Sequence, residues 1–298
     1  MSNLERVIEE SAYKLLKIAE TRLPDDVIEA LRKARDKETR PLARAQFDAI
    51  LRNIEIAKNQ TLPICQDTGS IIWYVEVGED FPIRAKLAEI LKNATRRATK
   101  EIPLRPNAVD PWTHKNSGDN TGRYYPFINW EFVPGDELKL TVLPKGGGSE
   151  NTVKLWMLNP VEGINGFKRA VIETVYTAGP KPCPPIIVGA AIGAGADIAI
   201  KLAKKAVMRP IGQRNENEEI AKLELELLEA LNKLGIGPMG LGGSTTVLDV
   251  HIDWGHRHPA SFPVAVVTQC WAARSASLKV TKDGDVEILS HKVNLEEV

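Results

Sequence analysis

Cysteine is scarce in this chain: 298 residues carry three, Cys65, Cys183 and Cys270. An odd count excludes a full set of internal disulfides, and the wide spacing is unlike the short cysteine runs of ferredoxins. An excess of charge of one sign is missing too. Lys+Arg and Asp+Glu balance at 39 each, so net charge gives no basic face and no case for nucleic acid as a partner. Long hydrophobic runs are absent: the stretch 184–196 is broken by glycines and falls short of the roughly 20 residues of a membrane span. The acidic, amphipathic start lacks the basic and apolar segments of a secretory signal, so a reducing cytoplasm is the expected compartment. Met and aromatic residues are few and scattered, and no flavin or haem motif emerges from them.

What is present is an ordinary globular composition, 43% hydrophobic and 26% charged, with enough chain for a substantial buried core. Leu4, Val7, Ile8, Ala12, Leu15, Leu16 and Ala19 repeat at helical spacing, and Pro24-Asp25-Asp26 opens a second helix. A third helix is expected over 41–57, which makes residues 1–60 a helical layer. Further helices are expected over 82–100, 161–177, 197–208 and 216–234. Strands are expected over 71–77, 138–143, 184–192, 245–252, 263–269, 277–281 and 285–289. The expected fold class is α/β, one domain over 1–298, with mixed sheets flanked by helices. The segment 101–125 reads as a long polar loop holding Arg105, Asn107, Asp110, His114, Asn116, Asp119 and Asn120, and loops of that length are commonly functional.

Each cysteine has unusual neighbours. Cys65 lies in Pro63-Ile64-Cys65-Gln66-Asp67-Thr68-Gly69, Cys183 in Lys181-Pro182-Cys183-Pro184-Pro185, and Cys270 closes an apolar strand at Gln269-Cys270-Trp271. An isolated cytosolic cysteine is ordinarily a small buried apolar residue. Turns rich in Pro and Gly, however, expose N–H groups able to bond cluster sulfides, so a shared metal role stands beside the bland reading. Lys145-Gly146-Gly147-Gly148-Ser149-Glu150-Asn151 is either an anion-binding nest or a flexible turn. Gly193-Ala194-Gly195 suits close strand–helix packing or phosphate binding. His251, His256 and His258 form a cluster compatible with zinc, with a surface loop, or with contact to a substrate.

In this order, Cys65-Gln66-Asp67-Thr68-Gly69, Lys145 to Asn151, Pro182-Cys183-Pro184-Pro185-Ile186, and His258-Pro259-Ala260-Ser261 leading to Gln269-Cys270-Trp271-Ala272 resemble one protein family. It comprises the α subunits of the two-subunit class I (iron–sulfur) fumarate hydratases and, equally, of the L-tartrate dehydratases. The resemblance covers nearly the whole chain. It implies a [4Fe–4S] cluster on Cys65, Cys183 and Cys270, whose fourth iron meets the substrate. It also implies substrate contacts from Gln66, Arg105 and the backbone of Gly148, and catalytic roles for Asp67 and His258. The substrate would be a small dicarboxylate: (S)-malate and fumarate, or tartrate converted to oxaloacetate. An open iron would polarise the departing hydroxyl, and the Arg105 fork suits a carboxylate. No base for the C3 proton is evident here, so a β subunit is expected to complete the site, in a heterotetramer. Two other classes remain possible: a zinc protein built on the histidine cluster, and a structural subunit without chemistry.

Overall fold

The computed structural model describes residues 2–295. Its helices are α1 (Asn3–Thr21), α2 (Asp25–Lys37), α3 (Pro41–Gln60), α4 (Leu87–Glu101), α5 (Gly147–Glu150), α6 (Gly163–Ala178), α7 (Ala196–Ala206) and α8 (Glu218–Asn232). Its strands are β1 (Ser70–Gly78), β2 (Phe127–Val133), β3 (Leu138–Lys145), β4 (Lys154–Leu158), β5 (Ile186–Ile192), β6 (Val247–Trp254), β7 (Phe262–Gln269), β8 (Ala276–Val280) and β9 (Val286–Ile288). The α/β class and the helical start agree with expectation. Where composition suggests one domain, the contacts divide the chain into two compact units. The first comprises the chain up to Asp25, Asn53–Lys145 and the segment from Arg274 on, and the second Asp26–Arg52 and Gly146–Ala273. No spacer of linker composition announces this division, because one boundary falls inside α3 and another at the start of α2.

The first unit is a five-stranded sheet in the order β2-β1-β3-β8-β9. β2 runs parallel to β1 and the other neighbours are antiparallel. Side chains alternate between sheet faces, so Ile71, Trp73, Val75 and Val77 of β1 join Leu138, Leu140 and Val142 of β3 in one core. The apolar stripes of α1 and α4 cover that face, through Ile8, Leu15, Leu16, Leu91, Ala94 and Ala98. Trp73 donates its indole N–H to Thr95 Oγ1 at 3.2 Å, which satisfies the polar atom that burial would otherwise strand.

The second unit is a four-stranded sheet in the order β4-β7-β5-β6. β5 lies parallel to β6 and antiparallel to β7. Val188, Ala190, Val250, Ile252, Val264 and Val266 face a core with Phe167, Val171 and Val175 of α6 and with Leu227 and Leu231 of α8. α7 packs against β5, β6 and β7. It approaches so closely that a Cβ on Gly189 would lie 2.2 Å from the Ala203 carbonyl oxygen, so only glycine fits there.

Candidate active site

In the first unit the segment 61–70 is a loop, as its composition implies, and it is pinned at several points. The Ile64 N–H donates to the Glu20 carbonyl at 2.9 Å, and Asn53 Nδ2 donates to the Ile64 carbonyl at 2.8 Å. Asp67 Oδ1 accepts from the Gly69 N–H at 3.0 Å, an Asx turn that fixes the carboxylate against its own backbone. Gly69 has φ +80°, and a Cβ there would lie 2.8 Å from the Lys145 backbone. Beneath the loop runs a buried ion pair, Arg274 with Glu20 at 2.8 Å, and Arg274 also donates to the Asp67 carbonyl at 2.8 Å. Burial pushes the Glu20 carboxyl up to about 7, against the opposing pull of Arg274.

Arg105 is brought beside this loop through its backbone. Its N–H donates to Thr68 Oγ1 at 3.0 Å, while its carbonyl accepts from Asn120 Nδ2 at 3.0 Å. Asn120, fully buried, also accepts from the Asn107 N–H at 2.6 Å, and Asn107 Nδ2 reaches back to the Gly69 carbonyl at 3.0 Å. The long polar loop is therefore ordered by side-chain amides replacing ladder hydrogen bonds. Cys65 and Asp67 are half-buried, and the Gln66 and Arg105 side chains are exposed. The first unit thus gathers Cys65, Gln66, Asp67 and Arg105.

The second unit gathers Gly148, Cys183 and Cys270. Antiparallel pairing puts the start of β5 beside the end of β7, with Ile187 opposite Gln269, so both cysteines flank one end of the sheet. The Trp271 N–H donates to the Cys183 carbonyl at 3.2 Å. Cys183 sits in the left-handed region at φ +53°, in a turn closed by its N–H on the Pro180 carbonyl at 3.0 Å. The glycine-rich stretch is no loose turn: it opens α5, and Lys145 before it is fully buried. α5 is clamped to the sheet end by Thr152 and Thr268, whose hydroxyls lie 2.7 Å apart. A Cβ on Gly148 would meet the Lys181 carbonyl oxygen at 2.9 Å, which ties that glycine to the Cys183 turn. None of the three cysteines forms a disulfide. Among the described residues, no three His, Cys, Asp or Glu side chains are gathered as a site for a metal ion.

His258 stands elsewhere. It precedes β7 whereas Cys270 follows it, and eight extended residues separate the two ends by roughly 25 Å. His258 is exposed, and its Nδ1 accepts from the Ala260 N–H at 3.1 Å. His251 is fully buried, with Nδ1 on the Ala206 carbonyl at 3.0 Å and Nε2 on Asp249 at 3.1 Å. Both ring nitrogens are occupied, so His251 is no zinc ligand and the zinc reading loses its central residue. Gly193-Ala194-Gly195 serves packing: a Cβ on Gly193 would lie 2.1 Å from the Gly255 carbonyl oxygen.

A model of the fumarate hydratase (Fumerase) family matches residues 9–279. The chain belongs to the fumarate hydratase family. Within the family it is 46% identical over 280 residues to a Methanocaldococcus jannaschii chain provisionally named L(+)-tartrate dehydratase subunit alpha, covering 93% of this chain and 98% of the relative. It is 41% identical over 272 residues to L(+)-tartrate dehydratase subunit alpha of Escherichia coli K12, covering 91% of this chain and 90% of that one. The α subunit of the same name from Shigella sonnei shows the same identity and coverage. As a member of the fumarate hydratase family the chain is an enzyme of the hydro-lyase class. A structural subunit without chemistry does not describe it.

Sequence reasoning missed what two kinds of residue do beside the predicted site residues. Thr68, Asn120 and Arg274 brace the Asp67 and Arg105 loops through contacts with segments distant in sequence, which the motifs holding Thr68 and Asn120 do not announce. Gln269 is the other: 2% exposed, with neither Oε1 nor Nε2 hydrogen-bonded within the protein. An amide so buried and unmatched is unfavourable by about 1–3 kcal/mol. Its position next to Cys270 was the available signal.

Proposed function

We propose that this chain is the α subunit of a [4Fe–4S]-dependent hydro-lyase that interconverts (S)-malate with fumarate and water. A second reading, conversion of tartrate to oxaloacetate, is favoured by the names of the relatives at 41–46% identity. Both substrates are small hydroxy-dicarboxylates, and both would use the residues in the same way.

The observation that carries the proposal is the donor set around the cysteines. The Cys183 carbonyl accepts from the N–H of Trp271, the residue after Cys270, at one sheet end, and Cys65 precedes the Gln66-Asp67 pair in a loop braced by Arg274. All three cysteines are half-buried and outside any disulfide, which leaves their thiolates able to serve as ligands. The unmatched amide of Gln269 fits the same group, because a cluster presents acceptor sulfurs where the polypeptide presents none. Bound by Cys65, Cys183 and Cys270, the cluster would supply a Lewis-acidic iron that makes the substrate hydroxyl a better leaving group.

The chain's own residues do the rest. Arg105 binds one substrate carboxylate through its guanidinium fork, with its backbone held by Thr68 and Asn120 so that the side chain starts from a fixed point. Gln66 orients the substrate beside it, and the Gly148 N–H offers a backbone donor. Asp67, its carboxylate set by the Gly69 N–H, handles the proton on the departing oxygen. His258, at the other end of β7, is not needed for that step. A β subunit supplies the C3 base and the second carboxylate's cation, in a heterotetramer. Exposed Trp112, Tyr124 and Phe132 offer apolar surface for a partner to cover.

The test is anaerobic co-expression with the β subunit, followed by assays of malate, fumarate and both tartrate enantiomers. The proposal expects a brown complex with about four irons per α chain and turnover that Cys183→Ser abolishes. A colourless complex that dehydrates none of these acids would end it. Turnover of tartrate alone would select the second reading.

A further inference from the structure

Gln269 is the last residue of β7 and stands opposite Ile187 of β5. Alternation along the strand puts it on the face shared by Ala265 and Val267, away from the Val264 and Val266 core. Its polar neighbour Thr268 is fully satisfied, by the Thr152 hydroxyl at 2.7 Å and the Ser149 carbonyl at 3.4 Å. Gln269 is as deeply buried, yet both ends of its amide lack a partner within the protein.

A primary amide carries two donors and two acceptor lone pairs, and buried ones are ordinarily matched. An apolar residue would fill the same volume on this apolar strand without that penalty. The amide therefore belongs to a group the polypeptide does not itself contain. Cys270 is the next residue, and the Trp271 N–H ties the Cys183 turn to it at 3.2 Å. Thiolates and inorganic sulfides accept hydrogen bonds and donate none, so the N–H end of the amide matches them.

We infer that Gln269 is a positioning residue for the iron–sulfur group: its side-chain N–H groups hydrogen-bond a sulfur of the group held by Cys183 and Cys270 and raise its reduction potential. Donors to cluster sulfurs stabilise the more negative, reduced form, and such bonds are among the determinants of potential. The Oε1 end is left to accept from water. The inference rests on the cluster assignment proposed above.

The experiment uses the anaerobically purified, iron- and sulfide-reconstituted complex, with Gln269→Leu and Gln269→Met beside wild type. Iron content and thermal midpoint should be unchanged in the variants. Their midpoint potential should be more negative. Resonance Raman bands of the iron–sulfur stretches should shift in D2O for wild type and shift less in both variants. Equal potentials and equal D2O shifts at equal iron content would overturn the inference, leaving internal water as the only partner of the amide. If neither variant folds, Gln269→Glu, which keeps the shape of the side chain and lacks its N–H groups, takes their place in both measurements. A wild type that takes up no iron overturns the cluster assignment and the inference together, a result distinct from a loaded wild type with unaltered variants.

Discussion

Asp249 shows how single residues hold the second unit together. It lies almost wholly buried on β6, where desolvation alone would raise its carboxyl. Bonds from His251, Arg214 and the Gly212 N–H outweigh that and hold it down at about 2. A carboxyl depressed from 3.8 contributes stability that is present above its unfolded value and lost as pH falls through its folded one. Urea midpoints should therefore fall between about pH 4 and pH 2, by roughly 2 kcal/mol from this group. Asp249→Asn should flatten that limb, and at pH 7 it should destabilise by about 3 kcal/mol, because His251 and Arg214 lose their shared buried acceptor charge, with Glu224 at 3.6 Å left to Arg214. An unchanged acid limb in the variant would show that the carboxylate is not the titrating group.

At the scale of elements, the best evidence of design is the junction of α5 with the Cys183 turn. Gly148 is the contact point, 2.9 Å from carbonyl to a built Cβ, and neither backbone has a flexible side chain to yield. Gly148→Ala should displace the turn and lower turnover at least tenfold while circular dichroism stays native; full turnover would show that the turn can give way. Most elements were legible beforehand: α1, α4 and α8 carry helical periodicities, and β1 and β7 are apolar runs that end within a residue or two of their observed limits. β2 and β4 were not. Each is the edge strand of its sheet and only partly buried, so neither shows the apolar alternation of a covered strand. The cysteines and Arg105 stand out in the sequence through their motifs. The contacts of Thr68, Asn120 and Arg274 do not, because their partners are distant in sequence.

For the whole molecule, the division into two units was invisible in composition because the chain changes unit within helices as well as at Gly146 and Arg274. The last return matters most. Arg274 brings the C-terminal segment into the first unit, where its guanidinium pairs with buried Glu20 and caps the Asp67 carbonyl. Arg274→Met should cost about 3–5 kcal/mol in denaturant unfolding, the penalty for a buried acid stripped of its partner. Adding Glu20→Gln should recover part of it. If the double variant were no more stable than the single one, the loss would lie in packing or in the Asp67 contact rather than in the stranded carboxyl.

Only three residues separate Cys270, at the end of β7, from Arg274 in its buried pair with Glu20. Ala272 and Ala273 within that span are buried, so their methyl groups already fill the space that the surroundings leave. A larger residue at Ala272 or Ala273 must therefore displace its neighbours, as overpacking of a core position does. In a lineage of such enzymes, bulk at these two positions should be rare.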